Sequence, residues 1–172
     1  MEAPQTLTAN EEFLWRSLMQ LVIRIPRVTD SDFAHDSNLA TSEYVVLMHL
    51  SEAPDHQLRM TELATRTALS ASRITRIVDD LARAGLVVKT RCTDDGRGNL
   101  TRITEAGLAR RFAAHAPHLR RVRSRFLEGL PSRDVPVAAT VLARMLDNLL
   151  RSLDEHRDFD GVPPRPVGIE DP

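Results

Sequence analysis

The sequence predicts a mostly α-helical protein with one small β-hairpin. Across most of the chain, apolar side chains recur every three or four positions, which is the period of an α-helix. One β-branched run, residues 86–91, is followed by dense turn residues at 94–99 and a return segment at 100–103, a pattern typical of a hairpin. The composition, with 42% apolar and 27% charged residues, fits one ordinary globular domain with short extensions.

Composition also excludes several classes of protein. A single cysteine, Cys92, rules out an intrachain disulfide and a cysteine-rich zinc site. The longest apolar run, residues 44–48, is far too short to cross a membrane, and the N-terminus lacks the basic and apolar regions of a signal peptide. We therefore expect a cytoplasmic protein with no membrane partner, no metal and no cofactor.

Charge is distributed unevenly, although the net charge is only −1. Residues 58–125 contain 15 Arg and Lys against 6 Asp and Glu, and the rest of the chain contains 8 against 18. A basic middle between acidic ends is typical of a protein whose partner is a nucleic acid or another anion. A chance arrangement of solvated charge is the alternative.

The first predicted helix covers residues 8–32. Thr8 and Glu11 have the spacing of a capping box. An apolar stripe follows them, and Pro26 should kink or loosen the helix. Residues 30–40 are polar and predict a connection.

The second predicted helix begins at Thr41 or Ser42, either of which is a good N-cap. It should end before Pro54, and residues 53–57 predict a polar loop. Its apolar side contains Tyr44, Val45, Leu47, Met48 and Leu50.

Two further helices form the most informative part of the sequence. Thr61 is predicted to cap a short helix over residues 62–67, and Ser70 a longer helix over residues 71–84. Gly85 lies where a glycine commonly ends a helix. Two such helices joined by a three-residue turn indicate a helix-turn-helix, and the hairpin that follows indicates a wing. The inward stripe of the longer helix is Ile74, Ile77, Val78 and Leu81.

The first turns of the longer helix carry polar side chains opposite that stripe. This part of a recognition helix reaches base edges in the major groove, where an arginine fork matches O6 and N7 of guanine. Arg97 lies between two glycines at the wing tip and suits the minor groove, with Asp95 placed to brace its guanidinium. The alternative is that these are ordinary surface charges. The predicted DNA-binding residues are Thr61, Ser70, Ser72, Arg73, Thr75, Arg76, Asp95 and Arg97.

Two helices are predicted after the wing. Thr104 should cap an arginine-rich helix that runs through Pro117 to about residue 129, and a last helix should cover residues 131–156. The first and last helices carry more apolar surface than a small winged domain can cover, so we expect a two-fold dimer. The expected organisation is an N-terminal dimerisation helix (8–40), a winged helix-turn-helix domain (41–104), C-terminal dimerisation helices (105–156) and a disordered tail (157–172).

Three motifs carry a resemblance to a known family. They are DDLARAGL at residues 79–86, the acidic-x-Arg wing at residues 95–98 and the Ile-Thr-x-x-Gly entry into the next helix at residues 103–107. With them, residues 59–107 resemble the MarR family of winged helix-turn-helix regulators, and the helix order extends the resemblance to about residues 8–156. The resemblance implies a homodimer that binds a pseudopalindromic operator in double-stranded DNA. It also implies repression that is relieved when a small, often phenolic or aromatic, ligand binds.

Other side chains are candidates for sensing. Trp15 offers a stacking face and Arg16 a fixed charge for an aromatic acid, although a tryptophan packed in a dimer core is the alternative. His115 and His118 have the i, i+3 spacing of some metal sites but lack further ligands, so we interpret them as surface histidines. Cys92 is interpreted as an inert, half-buried thiol. The predicted ligand-binding residues are Trp15, Arg16, Met19, Met48 and Phe112.

These observations lead us to expect a sequence-specific DNA-binding regulator of transcription, in particular a ligand-responsive repressor. Two alternatives stay open: a DNA-binding regulator that is switched by cysteine oxidation or not at all, and a protein–protein adaptor built on a winged-helix fold. The sequence contains no phosphate loop, nucleophile elbow or metalloprotease helix, so we do not expect an enzyme.

Overall fold

The computed structural model describes residues 6–91 and 99–155. In chain order the helices and strands there are α1 (Ala9–Ser37), α2 (Thr41–Glu52), β1 (Gln57–Arg59), α3 (Met60–Thr67), α4 (Ala71–Arg83), β2 (Val87–Arg91), β3 (Asn99–Ile103), α5 (Glu105–Val122) and α6 (Asp134–Glu155). The strands form one antiparallel sheet in the order β1–β3–β2. The predicted fold class, mostly helical with a small β element, is confirmed.

Helix α1 is longer than the sequence predicts. It continues through Pro26 without interruption, so the predicted end at residue 32 and the predicted connection over residues 30–40 are wrong. Tertiary contacts explain the extension, because Phe33 is buried and the Asp36 carboxylate accepts a hydrogen bond of 3.0 Å from Arg121 on α5. The polar residues of this stretch therefore belong to a helix whose partners lie far away in sequence.

Glutamates at the third helical position close the first turns of three helices. Glu11, Glu43 and Glu62 each accept a hydrogen bond from the backbone N–H three residues earlier, at 2.7, 2.8 and 2.7 Å. At α1 the Thr8 hydroxyl completes the capping box, as predicted. The N-caps of α2 and α3 are Ala40 and Arg59, which corrects the predicted caps Thr41, Ser42 and Thr61.

The sheet contains one strand more than the predicted hairpin. Strands β2 and β3 pair as expected, with Val87 opposite Ile103. The predicted polar loop over residues 53–57 is wrong, because a 3₁₀ turn (Pro54–His56) leads there directly into β1. Leu58 of β1 is buried and lies opposite Thr101 of β3.

The C-terminal helices differ from the prediction at their ends. Helix α5 is continuous through Pro117, but it gives way at Arg123–Leu127 to a π-helical turn rather than running on to residue 129. Helix α6 begins three residues later than predicted and packs only sparsely on the rest of the chain. None of the helices in the described ranges is long and apolar enough to cross a membrane.

The core lies between α2, the α3–α4 pair, the sheet and the start of α5. Fully buried apolar side chains of the core come from α2, α3, α4 and β2. They include Val46, Leu47, Leu50, Leu63, Ile74, Val78, Leu81 and Val87. Burial of these side chains holds α4 firmly by one face only, which leaves its opposite face to solvent.

Candidate nucleic-acid interface

Helix α4 presents a polar face that the core fixes in place. The predicted stripe of Ile74, Ile77, Val78 and Leu81 is buried, and Ser72, Arg73, Thr75 and Arg76 on the other side are exposed. Ser70 is the N-cap, as predicted, and its hydroxyl accepts a hydrogen bond of 3.4 Å from the Arg73 N–H. Since the buried face sets the rotation of the helix, the two arginines project from its first turns into solvent.

The charges on α4 are paired at one end and unpaired at the other. Within the described residues, the guanidinium groups of Arg73 and Arg76 form no hydrogen bond or ion pair. Further along the helix, Arg83 pairs with Asp80, and Asp79 accepts from Lys89 of β2 at 2.5 Å. The N-terminal half of α4 therefore carries two uncompensated positive charges and both carboxylates of the helix are already neutralised.

The hydroxyl groups of Ser70, Ser72 and Thr75 have local partners. The Thr75 hydroxyl donates to the Ala71 carbonyl at 2.9 Å, which leaves its oxygen as an acceptor only. Ser70 and Ser72 lie 3.3 Å apart through their hydroxyl oxygens. Thr61 is exposed on α3, and its carbonyl accepts from the Thr65 hydroxyl. These predicted residues are thus all accessible, and Arg73 and Arg76 keep all of their guanidinium donors free of partners within the described residues.

The turn between α3 and α4 contains a strained residue. Ala68 ends α3 in the left-handed conformation, with φ 54° and ψ 31°. Its N–H donates to the Thr65 carbonyl at 3.3 Å, and the N–H of Leu69 donates to the Ala64 carbonyl at 3.2 Å. A residue other than glycine pays about 1–2 kcal/mol in this conformation. The left-handed conformation of Ala68 makes the turn short, and the short turn sets α4 across α3.

The described part of the wing is tied to α4. The ion pair between Lys89 and Asp79 joins β2 to the C-terminal half of that helix. On the other edge, Arg102 of β3 donates to the Gln57 side chain of β1 at 2.7 and 3.0 Å. The predicted wing-tip residues Asp95 and Arg97, and also Cys92, lie outside the described residues.

Contacts of Thr104 and Gly107 connect the end of α4 to the start of α5. The Thr104 hydroxyl donates to the Gly85 carbonyl at 2.8 Å and accepts from the Gly107 N–H at 3.0 Å. A Cβ atom on Gly107 would lie 2.1 Å from the Leu86 carbonyl oxygen, so this position has no room for a side chain. The Thr-x-x-Gly motif therefore fixes where α5 leaves the winged domain. Gly85, at φ 72°, ends α4 as predicted.

Several arginines of α5 and of the π-helical turn after it pair within the chain. Arg121 and Arg125 bind the α1 carboxylates of Asp36 and Asp32, at 3.0 and 2.7 Å. The hydrogen bond from Arg121 lowers the pKa of Asp36. The guanidinium of Arg111, which is 9% exposed, lies 3.4 Å from the carboxylate of Glu52 on α2. This part of the basic middle of the sequence therefore holds helices together instead of facing a partner.

The predicted ligand-binding residues are spread over three helices. Trp15 is 53% exposed on α1, and the neighbouring Arg16 pairs with Glu12 at 2.5 Å. Met48 packs against the core, and the exposed Phe112 lies with its ring centroid 5.0 Å from the Arg111 guanidinium. Met19 is half-buried on α1. Among the described residues, no hydrogen bond, ion pair or ring contact joins Trp15 or Arg16 to Met48 or Phe112.

The structure brings together a different group, which we call the aromatic junction: Phe33, Tyr44, His115 and His118. Ring centroids lie 4.6 Å apart for Phe33 and Tyr44 and 4.9 Å apart for Phe33 and His118. The Tyr44 hydroxyl and Nδ1 of His115 are 2.8 Å apart. Burial raises the pKa of Tyr44 and lowers that of His118. The interpretation of His115 and His118 as surface histidines is therefore wrong.

Sequence reasoning missed this junction because its members are scattered. The i, i+3 spacing of the two histidines was a usable signal, since it places both on one face of α5. Nothing in the sequence shows that Phe33, then interpreted as part of a connection, reaches that face. Among the described residues, no group of three or more His, Cys, Asp or Glu side chains could hold a metal ion.

Comparison with known proteins finds similarity to one family of regulators. The MarR family model matches residues 37–98. The chain is similar to the HTH-type transcriptional repressor YetL of Bacillus subtilis (strain 168), with 35% identity over 97 residues. That alignment covers 56% of this chain and 58% of YetL, so less than two thirds of the relative's length is matched.

Solved structures extend the likeness to nearly the whole described chain. The MarR family regulator Sco3205 of Streptomyces coelicolor, in complex with DNA, is 27% identical, with a TM-score of 0.78 over 86% of this chain and 92% of that chain. PcaV of Streptomyces coelicolor, in complex with its natural ligand, is 26% identical, with a TM-score of 0.63 over 85% of this chain and 98% of that chain. The helix-turn-helix and the strands that follow it thus agree with the match to the MarR family model, and the described chain is similar in fold to MarR family regulators of known structure.

Proposed function

We propose that this chain is a sequence-specific DNA-binding regulator of transcription, acting as a repressor. The observation that carries the proposal is the pair of unpaired guanidinium groups, Arg73 and Arg76, on the exposed first turns of α4. A buried helix face that is rigidly held supports base reading, because a recognition helix must enter the major groove in a fixed orientation. The likeness to Sco3205, whose structure contains DNA, supports the same assignment. Such a regulator works beside the chromosome, which places it in the cytoplasm.

The DNA-binding unit in this proposal is a homodimer. Apolar side chains on α1 and α6 are exposed in the single chain, including Phe13 at 73% and Leu142 at 53%. In the described part of α6, Leu150 is the one buried side chain. A two-fold dimer would cover both faces and set two α4 helices one DNA turn apart, about 34 Å. Residues 8–40 and 105–156 then form the dimerisation region, and residues 41–104 the DNA-binding domain.

The wing is proposed to contact the flanking minor groove through Arg97. The support is sequence-based: the residue lies between Gly96 and Gly98, and narrow A·T-rich minor grooves attract arginine. Replacing Arg97 with alanine should weaken binding most when the flanks are A·T-rich. Unchanged affinity on such flanks would rule out the contact, and the same variant on G·C-rich flanks is the control.

The proposed function is tested by selecting duplexes from a random pool with the full-length protein. The selected duplex should be pseudopalindromic, and its affinity should fall steeply between about 50 and 200 mM salt, since each neutralised phosphate adds about −0.9 to the log–log slope. A failure to enrich any sequence, or a slope near zero, would contradict DNA recognition and favour the adaptor alternative.

We further propose that an aromatic carboxylate or a phenol lowers the affinity for this duplex. PcaV supports the idea of a ligand in this fold, since its structure holds a natural ligand. A ligand acts only if it binds the DNA-incompetent arrangement better, with a coupling of about 1–3 kcal/mol. Trp15, Arg16, Met19, Met48 and Phe112 are the proposed binding residues.

The ligand proposal is tested with salicylate and simple phenols as probes. Trp15 fluorescence should respond, and Arg16→Ala should abolish the response while DNA binding without ligand is kept. Arg24→Ala is the matched control, because Arg24 lies on the same helix and donates to Gln20 one turn earlier, as Arg16 does to Glu12. If Arg16→Ala instead breaks the dimer or DNA binding without ligand, these residues are structural.

A further inference from the structure

The aromatic junction joins three helices and takes no part in the DNA-facing surface. Phe33 of α1 and Tyr44 of α2 are each 3% exposed. The half-buried ring of His118 packs beside both of them, with its centroid 4.9 Å from that of Phe33 and 5.2 Å from that of Tyr44. His115, one turn earlier on α5, meets the Tyr44 hydroxyl at 2.8 Å. The junction therefore links α1, which the proposed function assigns to the dimer, with α2 of the DNA-binding domain.

The carboxylates of α1 that face His118 already form ion pairs with arginines. Asp32 and Asp36 line one small cavity with His118, Phe33 and Ala114. Their carboxylates bind Arg125 at 2.7 Å and Arg121 at 3.0 Å, so their charge is largely balanced before a proton reaches the imidazole.

The titratable groups of α2 and α5 do not compensate the positive charge that protonation would place on His118. Tyr44 of α2 is uncharged in this environment, because burial raises its pKa. Glu52, at the end of α2, lies 3.4 Å from the guanidinium of Arg111. On α5 itself, His115 would add a like charge one turn from His118. Burial, and then the proximity of His115, lower the pKa of His118, and Asp32 opposes them only weakly.

We propose that the aromatic junction is a proton-sensitive joint, which holds α1 against α2 and α5 while His118 is neutral and loosens when His118 is protonated. Protonation of His118 puts a charge on a half-buried ring that packs against two buried rings, where the charge loses part of its hydration.

The direction of the effect follows from the titration of His118. Its pKa in the folded chain lies below the ordinary value of about 6.5. The stabilising contribution of the neutral ring is therefore complete above that value and is lost as the pH falls from there through the folded pKa. If the proposed function holds, a loosened α1 also changes the spacing of the two recognition helices, and acidification weakens DNA binding.

The joint is tested first without DNA, on the full-length protein. Imidazole resonances should show His118 titrating below its ordinary value, and the thermal midpoint should fall between about pH 7.5 and 5.5. His118→Phe keeps an aromatic ring but cannot be protonated, so the thermal midpoint of this variant should fall much less over the same pH range. The matched control is His56→Asn, which removes an exposed histidine from the 3₁₀ turn, where asparagine tolerates the left-handed backbone; it should behave as wild type.

Two results would overturn the joint: a His118 that titrates at or above its ordinary value, or wild-type and His118→Phe midpoints that fall in parallel. The first measurement needs no variant, so it decides the matter even if His118→Phe does not fold. His115→Gln is the second variant, and it should reduce the pH dependence in the same direction.

A DNA measurement separates this inference from the proposed function. Affinity for the duplex selected from the random pool should fall about fivefold or more over the same pH range in the wild type, and much less in His118→Phe. An equal loss in both proteins would refute the joint and leave DNA recognition standing. If no duplex is selected at all, the proposed function fails, and the resonance and thermal measurements still decide the joint.

Discussion

At the scale of single residues, ion pairing separates the arginines of this chain into two groups. Arg121 and Arg125 are bound by carboxylates of α1, whereas Arg73 and Arg76 find no partner among the described residues. A guanidinium that keeps all five donors free, on a helix whose orientation the core fixes, is suited to a bidentate contact with guanine. Position on the fold, rather than residue type, therefore distinguishes an arginine that holds helices together from one that is available to DNA.

Removing either free arginine should weaken and relax recognition. Arg73→Ala or Arg76→Ala should cost about 1–3 kcal/mol of binding free energy and reduce the preference at one base position in each half-site. Arg83→Ala is the control on the same helix, since Arg83 already pairs with Asp80. Competition binding with single-base variants of the selected duplex measures the preference. Equal losses on specific and random DNA would mean that neither residue reads bases.

Relieving the strain at Ala68 should stabilise the protein. Glycine adopts the left-handed conformation without a Cβ penalty of about 1–2 kcal/mol, but it loses about 0.5–1 kcal/mol more conformational entropy on folding. Ala68→Gly should therefore raise the free energy of unfolding by about 0.5 kcal/mol. Ala109→Gly, on the exposed side of α5, should lower it by about 1 kcal/mol. Chemical denaturation that shows the same sign for both variants would contradict strain at the turn.

At the scale of elements, small joints fix how the helices and strands meet. Thr104 bonds to the end of α4 and to the start of α5, and Gly107 allows α5 to approach the Leu86 carbonyl. Lys89 and Asp79 link β2 to α4. These contacts set the direction of the recognition helix relative to the wing and to the proposed dimerisation helices.

Filling the space at Gly107 should destabilise the joint. A methyl group there would meet the Leu86 carbonyl oxygen at 2.1 Å, so backbone must move. We expect Gly107→Ala to cost about 1–3 kcal/mol of stability, as overpacking usually does. Ala106→Ser, one residue earlier on the exposed side of α5, should stay within about 0.5 kcal/mol. Identical thermal midpoints for the two variants would show that α5 does not need this close approach.

The elements also show how far sequence reasoning reached. Helix α4 could be predicted nearly to the residue, because its apolar stripe, Ser70 and Gly85 all agree. Strand β1 could not, since three residues with one buried side chain carry no period, and only pairing with β3 makes them a strand. The end of α1 was missed for a similar reason, because its polar residues have their partners on α5.

The exposed face of α4 could be predicted from the sequence, and the aromatic junction could not. Residues exposed on one short helix follow from its periodicity, so the face of α4 could be named in advance. The junction of Phe33, Tyr44, His115 and His118 depends on how three distant helices cross, which local patterns do not encode. Asp95 and Arg97 remain sequence-based predictions.

At the scale of the whole molecule, α1 and α6 carry apolar faces that the single chain leaves exposed and that the proposed dimer would cover. Leu142, which is 53% exposed, and Leu149, which is 56% exposed, lie on a helix that packs little against its own chain. A second copy would bury these side chains, and each fully buried leucine contributes about 1.5–3 kcal/mol.

A charge on α6 should therefore dissociate the dimer. Leu142→Glu should raise the dissociation constant at least about tenfold, or about 1.4 kcal/mol. Asn148→Glu adds the same charge to the same helix at a polar position and should leave the constant nearly unchanged. Sedimentation over a range of concentrations measures it. A monomeric wild type, or equal effects of the two variants, would refute the proposed interface.

The most direct test of the central claim, that two α4 helices of a dimer read DNA, is a methylation-protection footprint on the selected duplex. We predict two groups of protected guanines in the major groove, separated by about 10–10.5 base pairs. Both groups should weaken in Arg73→Ala or Arg76→Ala and persist in Arg83→Ala. A single protected patch, or a footprint that neither Arg73→Ala nor Arg76→Ala alters, would contradict the account.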